Sequence, residues 1–315
     1  MNEIDLTRIP HSEAKKLLQT GAPVYLLVNP IEYHGPHLPL KNDFLLSLGI
    51  ARELHRELCK NFNQDWPFLQ AAALQVGVGP AAGPGTVSVP YLTVRKLVID
   101  ACRGLEALGA KRVALVTFHG DPLHNLALDI AARDLHSRGV MALAPFSSLL
   151  NALLNYHVGQ FDHCLETVQD PSTRKILSDR MATDFHGGFF ETSLMLHYWP
   201  QLVDPCYQQL PVCPEYPPVA LFKFLSAIGT RLGFKKLGQE LDFVAMGLGW
   251  VKLKNNPGYT GQPHLANSVS GQAFAQEALR LFVDASTLAF REIGYSPTPI
   301  LKWTAPLSLN GRVAV

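Results

Sequence analysis

Along the first 145 residues, short apolar runs alternate with amphipathic segments of helix length, and only a few residues join each pair. Residues 112–118 (Arg-Val-Ala-Leu-Val-Thr-Phe) form the clearest buried strand, residues 24–28 (Val-Tyr-Leu-Leu-Val) form another, and 68–76 and 140–144 are further strand candidates. Between them lie helical patterns. Residues 11–20 carry Ala14, Leu17 and Leu18 at helical spacing, with Ser12 as candidate cap and Gly21 as terminator. Residues 44–61 place Leu45, Leu48, Ile50, Leu54 and Leu58 on a helix face, while 94–108 stops at Gly109 and 125–137 at Gly139. Such alternation through short loops predicts an α/β fold with a mostly parallel sheet covered on both faces. Ligands of these folds bind beyond the carboxyl ends of the strands.

Two of those strand ends carry the residues that matter. After the run 24–28 comes Asn29-Pro-Ile-Glu-Tyr-His-Gly-Pro-His-Leu-Pro-Leu-Lys-Asn-Asp43. Pro30 cannot donate to a sheet ladder, so the strand hands over to a loop there. In an extended loop Glu32 and His34 point to one side and Tyr33 to the other. Gly35-Pro36 turns the chain, and Asp43 follows just before an apolar, helix-like run. Carboxylates and imidazole converging in this way suit a divalent transition metal, and a bridging Asp suits two. Glu32 and His34 alone would be better read as a polar loop whose side chains bond to each other. A second cluster, His119-Gly-Asp121, sits directly after the strand 112–118, and a third, Asp184-Phe-His-Gly-Gly-Phe-Phe-Glu-Thr-Ser193, opens a short helix at about 192–198.

The rest of the chain narrows the class of protein. Of 315 residues, 47% are hydrophobic and 17% charged, enough for a sizeable core and no sign of disorder. A formal net charge of +1 gives no reason to expect nucleic acid as a partner. The five cysteines are scattered and form no CxxC pair, so they read as reduced thiols of a cytoplasmic protein. No signal peptide and no membrane span is apparent. The loop 77–86 is glycine-rich but lacks the lysine of a phosphate-binding loop. Residues 201–218 read as a loop, and 218–236 as an amphipathic helix broken near Gly229 or Gly233. A lid or subunit contact accounts for that helix better than an interfacial membrane helix. A last helix spans 270–291, and without repeats or linkers the chain is expected to form one domain.

Taken together, Glu32-Tyr-His34-Gly-Pro-His-Leu-Pro-Leu-Lys-Asn-Asp43, Pro84-Gly-Thr86, His119-Gly, His186-Gly-Gly-Phe-Phe-Glu191-Thr-Ser and Gly261-Gln-Pro resemble, in order, the motifs of the creatininase (creatinine amidohydrolase) family. The resemblance spans about residues 20–290. It implies a three-layer α/β/α sandwich, two divalent metal ions (zinc, manganese or iron) and hydrolysis of carbon–nitrogen bonds other than peptide bonds. It also implies a homo-oligomer, often a hexamer. Carried over, Glu32 and His119 hold one metal, His34 belongs to the other and Asp43 bridges them. Glu191 completes the second site ahead of Asp121, which stands where creatininase itself has a carboxylate. His186 matches the histidine that passes a proton to the leaving nitrogen.

The chain also departs from the family. The usual Asn-Gly-His-Gly-Gly-Asn is here Thr117-Phe-His-Gly-Asp-Pro-Leu-His-Asn125, Glu-Gln-His is Glu32-Tyr33-His34, and extra segments lie at about 145–180 and 200–250. These changes bear on the substrate more than on the metals. There is no GxSxG elbow, and Asp162-His163-Cys164, where a cysteine does adjoin a histidine, is too weak a pattern to mark another nucleophile. The expected activity is metal-dependent hydrolysis of a small-molecule amide, lactam or formamide. A specialised peptidase and a binding protein with a vestigial metal site are the alternatives. His37 is assigned to shaping its loop. His124, His136, His157, His163, His197 and His264 lack partners at ligand spacing, and Trp199, Trp250 and Tyr259 are either pocket walls or core.

Overall fold

In the computed structural model, described for residues 2–155, 159–184, 186–292, 294–295, 297 and 300–312, five strands form one all-parallel sheet. They are β1 (Glu3–Asp5), β2 (Val24–Leu27), β3 (Phe68–Gln70), β4 (Arg112–Val116) and β5 (Met141–Leu143), in the order β1-β3-β2-β4-β5. The α-helices among the described residues, in chain order, are α1 (His11–Gln19), α2 (Asn42–Phe62), α3 (Tyr91–Leu108), α4 (Pro122–His136), α5 (Phe146–Leu154), α6 (Pro171–Arg180), α7 (Phe189–Tyr198), α8 (Ala220–Arg231), α9 (Lys235–Val251), α10 (Ser268–Ala289) and the single turn α11 (Thr304–Leu307).

The period of two along β2 sorts its side chains between two cores. Tyr25 and Leu27 join Ile50, Leu54 and Leu58 of α2, Phe189 of α7 and Phe282 of α10 on one face. Val24, Leu26 and Val28 join Leu18 of α1, Val94 and Val98 of α3 and Leu128 and Leu135 of α4 on the other. The result is the three-layer α/β/α sandwich, with β2 and β4 inside the sheet and, apart from Arg112 at the start of β4, apolar because both faces are covered. Leu54 is fully buried between α2 and the sheet. Leu54→Ala is expected to lower unfolding free energy by about 2–5 kcal/mol, read from denaturant unfolding curves.

Several elements differ from the sequence expectation. The helix at 11–20 begins at His11 behind Pro10, with no side-chain cap, so Ser12 is not its cap. The run at 68–76 leaves the sheet after Gln70, and Leu74 keeps only one bridge, to Val28, because the chain turns out to cover the strand ends. The helix expected at 125–137 starts at Pro122 with Asp121 as its cap, and the short one expected at 192–198 starts at Phe189. The segment 218–236 does form a helix, α8, that breaks at Gly233 (φ +88), one of the two expected breaks, but the chain reverses there into a second long helix, α9, to make an antiparallel hairpin. The extra segment 145–180 holds α5 and α6. His157 lies outside the described residues.

Candidate metal centre

The loop after β2 is held in place by backbone and side-chain bonds that leave its acids and histidines aimed inward. Asn29 Oδ1 accepts from the Phe118 N–H (3.0 Å) and from the hydroxyls of Ser47 (3.0 Å) and Thr117 (3.2 Å), tying the ends of β2 and β4 to α2. Thr86 of the Pro-Gly-Thr motif accepts from the Tyr33 N–H (2.9 Å). The ring of Tyr33 fits against Gly83 and Gly258, where a Cβ would collide with it. Glu32 and His34 therefore lie buried while Tyr33, between them, turns away.

Asp43, in the first turn of α2, stands between two imidazoles. Its Oδ1 is 2.9 Å from His34 Nε2 and its Oδ2 is 3.5 Å from His119 Nδ1. Glu32 Oε2 is 3.0 Å from the same His119 nitrogen, and Glu191 Oε2 is 3.6 Å from His34 Nε2. Each histidine is fixed from behind. His119 Nε2 donates to the Val78 carbonyl (2.8 Å), and His34 Nδ1 donates to the Glu32 carbonyl (3.1 Å). A carbonyl only accepts, so in the neutral rings these bonds leave the lone pairs on His119 Nδ1 and His34 Nε2 pointing at carboxylates. Glu32 Oε2 and Asp43 Oδ2 are buried without a hydrogen-bond partner. Lone pairs and unpartnered anionic oxygens converging in a buried space are the donor set of a divalent cation. Among the described residues, three overlapping groups have atoms mutually close enough to share an ion: Glu32, Asp43 and His119; His34, Asp43 and Glu191; and Glu32, His34 and His186.

The electrostatics follow the same geometry. Burial opposes charge on His34 and His119, yet Asp43 and Glu191 lift His34 to about 10, and Glu32 and Asp43 lift His119 well above its ordinary value. Burial works against the charge on Asp43 and Glu32 too, but the neighbouring histidines hold both below the usual carboxylate range. Glu191, pushed up to about 8 by burial, gains less from its surroundings. Positive charge is what this pocket stabilises.

His186 stacks on His34, with ring centroids 3.9 Å apart, and its Nε2 donates to the Tyr33 carbonyl (2.8 Å), leaving Nδ1 3.7 Å from Glu32 Oε1. Burial and the neighbouring His34 push it down to about 4. Its backbone is clasped by Thr260, and Asp184 caps the start of α7 through the Phe189 and Phe190 N–H groups. Gly187, at φ +56, lets this turn pass against the backbone of His34. Glu191 also accepts from the Gly187 N–H (2.7 Å), so it closes the helix entry while facing His34.

Asp121 is held elsewhere. Its Oδ1 accepts from the His124 N–H (2.8 Å) as the cap of α4, its side chain packs against Gly79, and burial pushes it up to about 6. It joins none of the ligand groups among the described residues. His37 Nε2 bonds to the Thr192 hydroxyl (2.8 Å) and likewise stands apart. His124 sits behind His119, bonded to Thr117, and Asn125 donates to the His119 carbonyl (2.8 Å). Asn29 and Asn125 passed unnoticed in the sequence, although each lies within a motif, because a lone Asn has no spacing to mark it. Of the three aromatics, Trp250 reaches the site, its ring 4.9 Å from His186. Trp199 donates to the Leu45 carbonyl and Tyr259 to the Pro211 carbonyl, each fixing structure.

The family model for creatininase, described as creatinine amidohydrolase, matches residues 8–286. The chain belongs to the creatininase family of hydrolases. It is 29% identical over 217 residues to the creatinine amidohydrolase of Pseudomonas putida, a match covering 61% of this chain and 75% of that protein. It is 27% identical over 111 residues to a mycofactocin precursor peptide peptidase of Mycobacterium tuberculosis, covering 34% of this chain and 44% of the peptidase. A solved mutant creatininase of Zn-Zn type superposes with a TM-score of 0.58 at 21% identity, covering 93% of this chain and all of that one. This likeness carries the creatininase fold across nearly the whole length.

Proposed function

We propose that this creatininase-family protein is a metal-dependent amidohydrolase that cleaves a carbon–nitrogen bond of a small amide, lactam or formamide. The observation that carries the reading is Asp43, whose two oxygens face the lone pairs of two separate histidines. Glu32 and His119 would hold one divalent ion, His34 and Glu191 the other, and Asp43 would bridge them. Zinc, manganese and iron all suit this donor set. When bound, such ions supply an activated water and polarise the carbonyl it attacks. The chain's own part is to keep both imidazoles in the ligating tautomer and to bury the ions. His186 has an unprotonated Nδ1 on the same side as the ligands, which can take a proton from the attacking water and pass it to the departing nitrogen. Its Nε2 bond to the Tyr33 carbonyl fixes which nitrogen does so.

Elemental analysis and turnover of amides, lactams and formamides by the metal-replete protein test this. Full metal with no turnover across that panel would refute it. His186→Ala is expected to lower turnover by roughly 10²–10⁴-fold with metal content nearly unchanged. Loss of metal in that variant would make His186 a ligand instead, as its group with Glu32 and His34 allows. The similarity to the mycofactocin peptidase favours a second reading, specialised peptide cleavage at the same centre. A peptide substrate that outcompetes small amides would decide for it. Five free cysteines fit a reducing, cytoplasmic setting, and the family fits assembly as a homo-oligomer.

A further inference from the structure

The hairpin α8–α9 exposes an apolar ridge that none of the described residues covers. Leu221, Phe224, Leu225, Ile228 and Leu232 recur at three- and four-residue spacing, so they form one stripe along a helix about 18 Å long. Phe222, Ser226 and Gly229 form the opposite, buried face. Leu221, Phe224, Leu232 and, at the turn, Phe234 are 62%, 63%, 67% and 61% exposed, values that make the stripe a projecting ridge. Its charge is one-sided. Residues 224–238 contain no acid, and Arg231, Lys235 and Lys236 at the turn are exposed and make no ion pair among the described residues. Lys223, by contrast, is neutralised by Asp242 across the hairpin (2.9 Å).

We propose that this ridge docks on an anionic phospholipid surface, with the phenylalanines and leucines in the headgroup–acyl boundary and the three cations among the phosphates. An apolar stripe flanked by Lys and Arg is the chemistry that holds a helix in that plane. A second copy of the chain fits the charges poorly. Packed tip to tip, the two ridges would bring Arg231, Lys235 and Lys236 together. Packed antiparallel, each tip would approach the opposite end of the hairpin, where Lys252 and Lys254 are exposed. A lid over the site does not fit either, because the stripe faces away from the body of the hairpin. The same hairpin carries Trp250 to the candidate metal centre, so a bound bilayer would lie one helix away from it.

The test is flotation of the full chain with vesicles of phosphatidylcholine and phosphatidylglycerol in equal parts, against phosphatidylcholine alone, at low and high salt. The protein should float with the anionic vesicles only, and less so at high salt. Phe224→Ser with Leu232→Ser should abolish flotation, with a thermal melt matching the parent's because both side chains are exposed. Lys235→Ala with Lys236→Ala should lower the partition coefficient by roughly 25-fold, about fivefold per cation, and remains decisive if the serine pair does not fold. No flotation with anionic vesicles, or flotation indifferent to both pairs, would overturn the proposal. A fall in sedimenting mass of the serine pair without lipid would also overturn it, by making the ridge a contact between subunits.

Discussion

Asp43→Ala should yield a folded protein that, on the two-ion reading proposed above, has lost at least one ion and, with it, turnover. The reason is position. The Asp43 carboxylate presents one oxygen to His34 and the other to His119, whereas Glu32, which also lies near both, pairs its oxygens with His119 and His186. Two divalent cations brought together repel, and a shared carboxylate both binds them and offsets that repulsion. Alanine would remove the proposed bridge and leave Glu32 with His119 on one side and Glu191 with His34 on the other. The fall in activity should exceed the roughly 10²–10⁴-fold expected for removing a general acid. The fold should survive, because the core around Ile50, Leu54 and Leu58 of α2 does not depend on that carboxylate. Elemental analysis beside circular dichroism checks it. A folded Asp43→Ala protein with two ions bound would show that Asp43 does not bridge.

How much of this was visible in the sequence depends on how local each signal was. Strands β2 and β4 could be read because they are buried on both faces and leave an unbroken apolar run. The edge strand β1 could not, since three residues with acids at both ends carry no alternation. Helix α6 is polar nearly all round, and its sign is the capping pair Asp170-Pro171, where the Asp carboxylate accepts from the Thr173 N–H. The same Asp-Pro signal at 121–122 explains why α4 begins three residues earlier than its apolar spacing indicates. At the site, Glu32 and His34 declare themselves by a spacing of two. Glu191 lies far along the chain, and nothing in its neighbourhood fixes which histidine it faces. Only the ordered set of family motifs pointed to it. Trp250 stayed ambiguous because its role depends on where the α9 helix is packed, which spacing does not encode.

The second large effect separates Glu191 from Asp121. Glu191→Gln should weaken metal binding sharply and abolish most turnover, while Asp121→Asn should keep both ions and lose activity only about 10-fold. Glu191 brings an oxygen within 3.6 Å of His34 Nε2, on the side Asp43 shares, so the substitution removes one of the charges that would hold the proposed second ion. Its other duty does not confound the result. A glutamine carbonyl can still accept from the Gly187 N–H, so the entry to α7 should stay closed. Asp121 acts at one remove. It caps α4, which carries His124 behind the His119 ring and Asn125 against the His119 carbonyl. Asparagine caps a helix as well as aspartate does, so stability should hardly move. What changes is the charge near His119, and that should appear in rate before it appears in occupancy. Metal titration of the two variants side by side decides the matter. An Asp121→Asn protein that loses an ion while Glu191→Gln keeps two would reverse the assignment and place the second ion on the His119 side of the cluster.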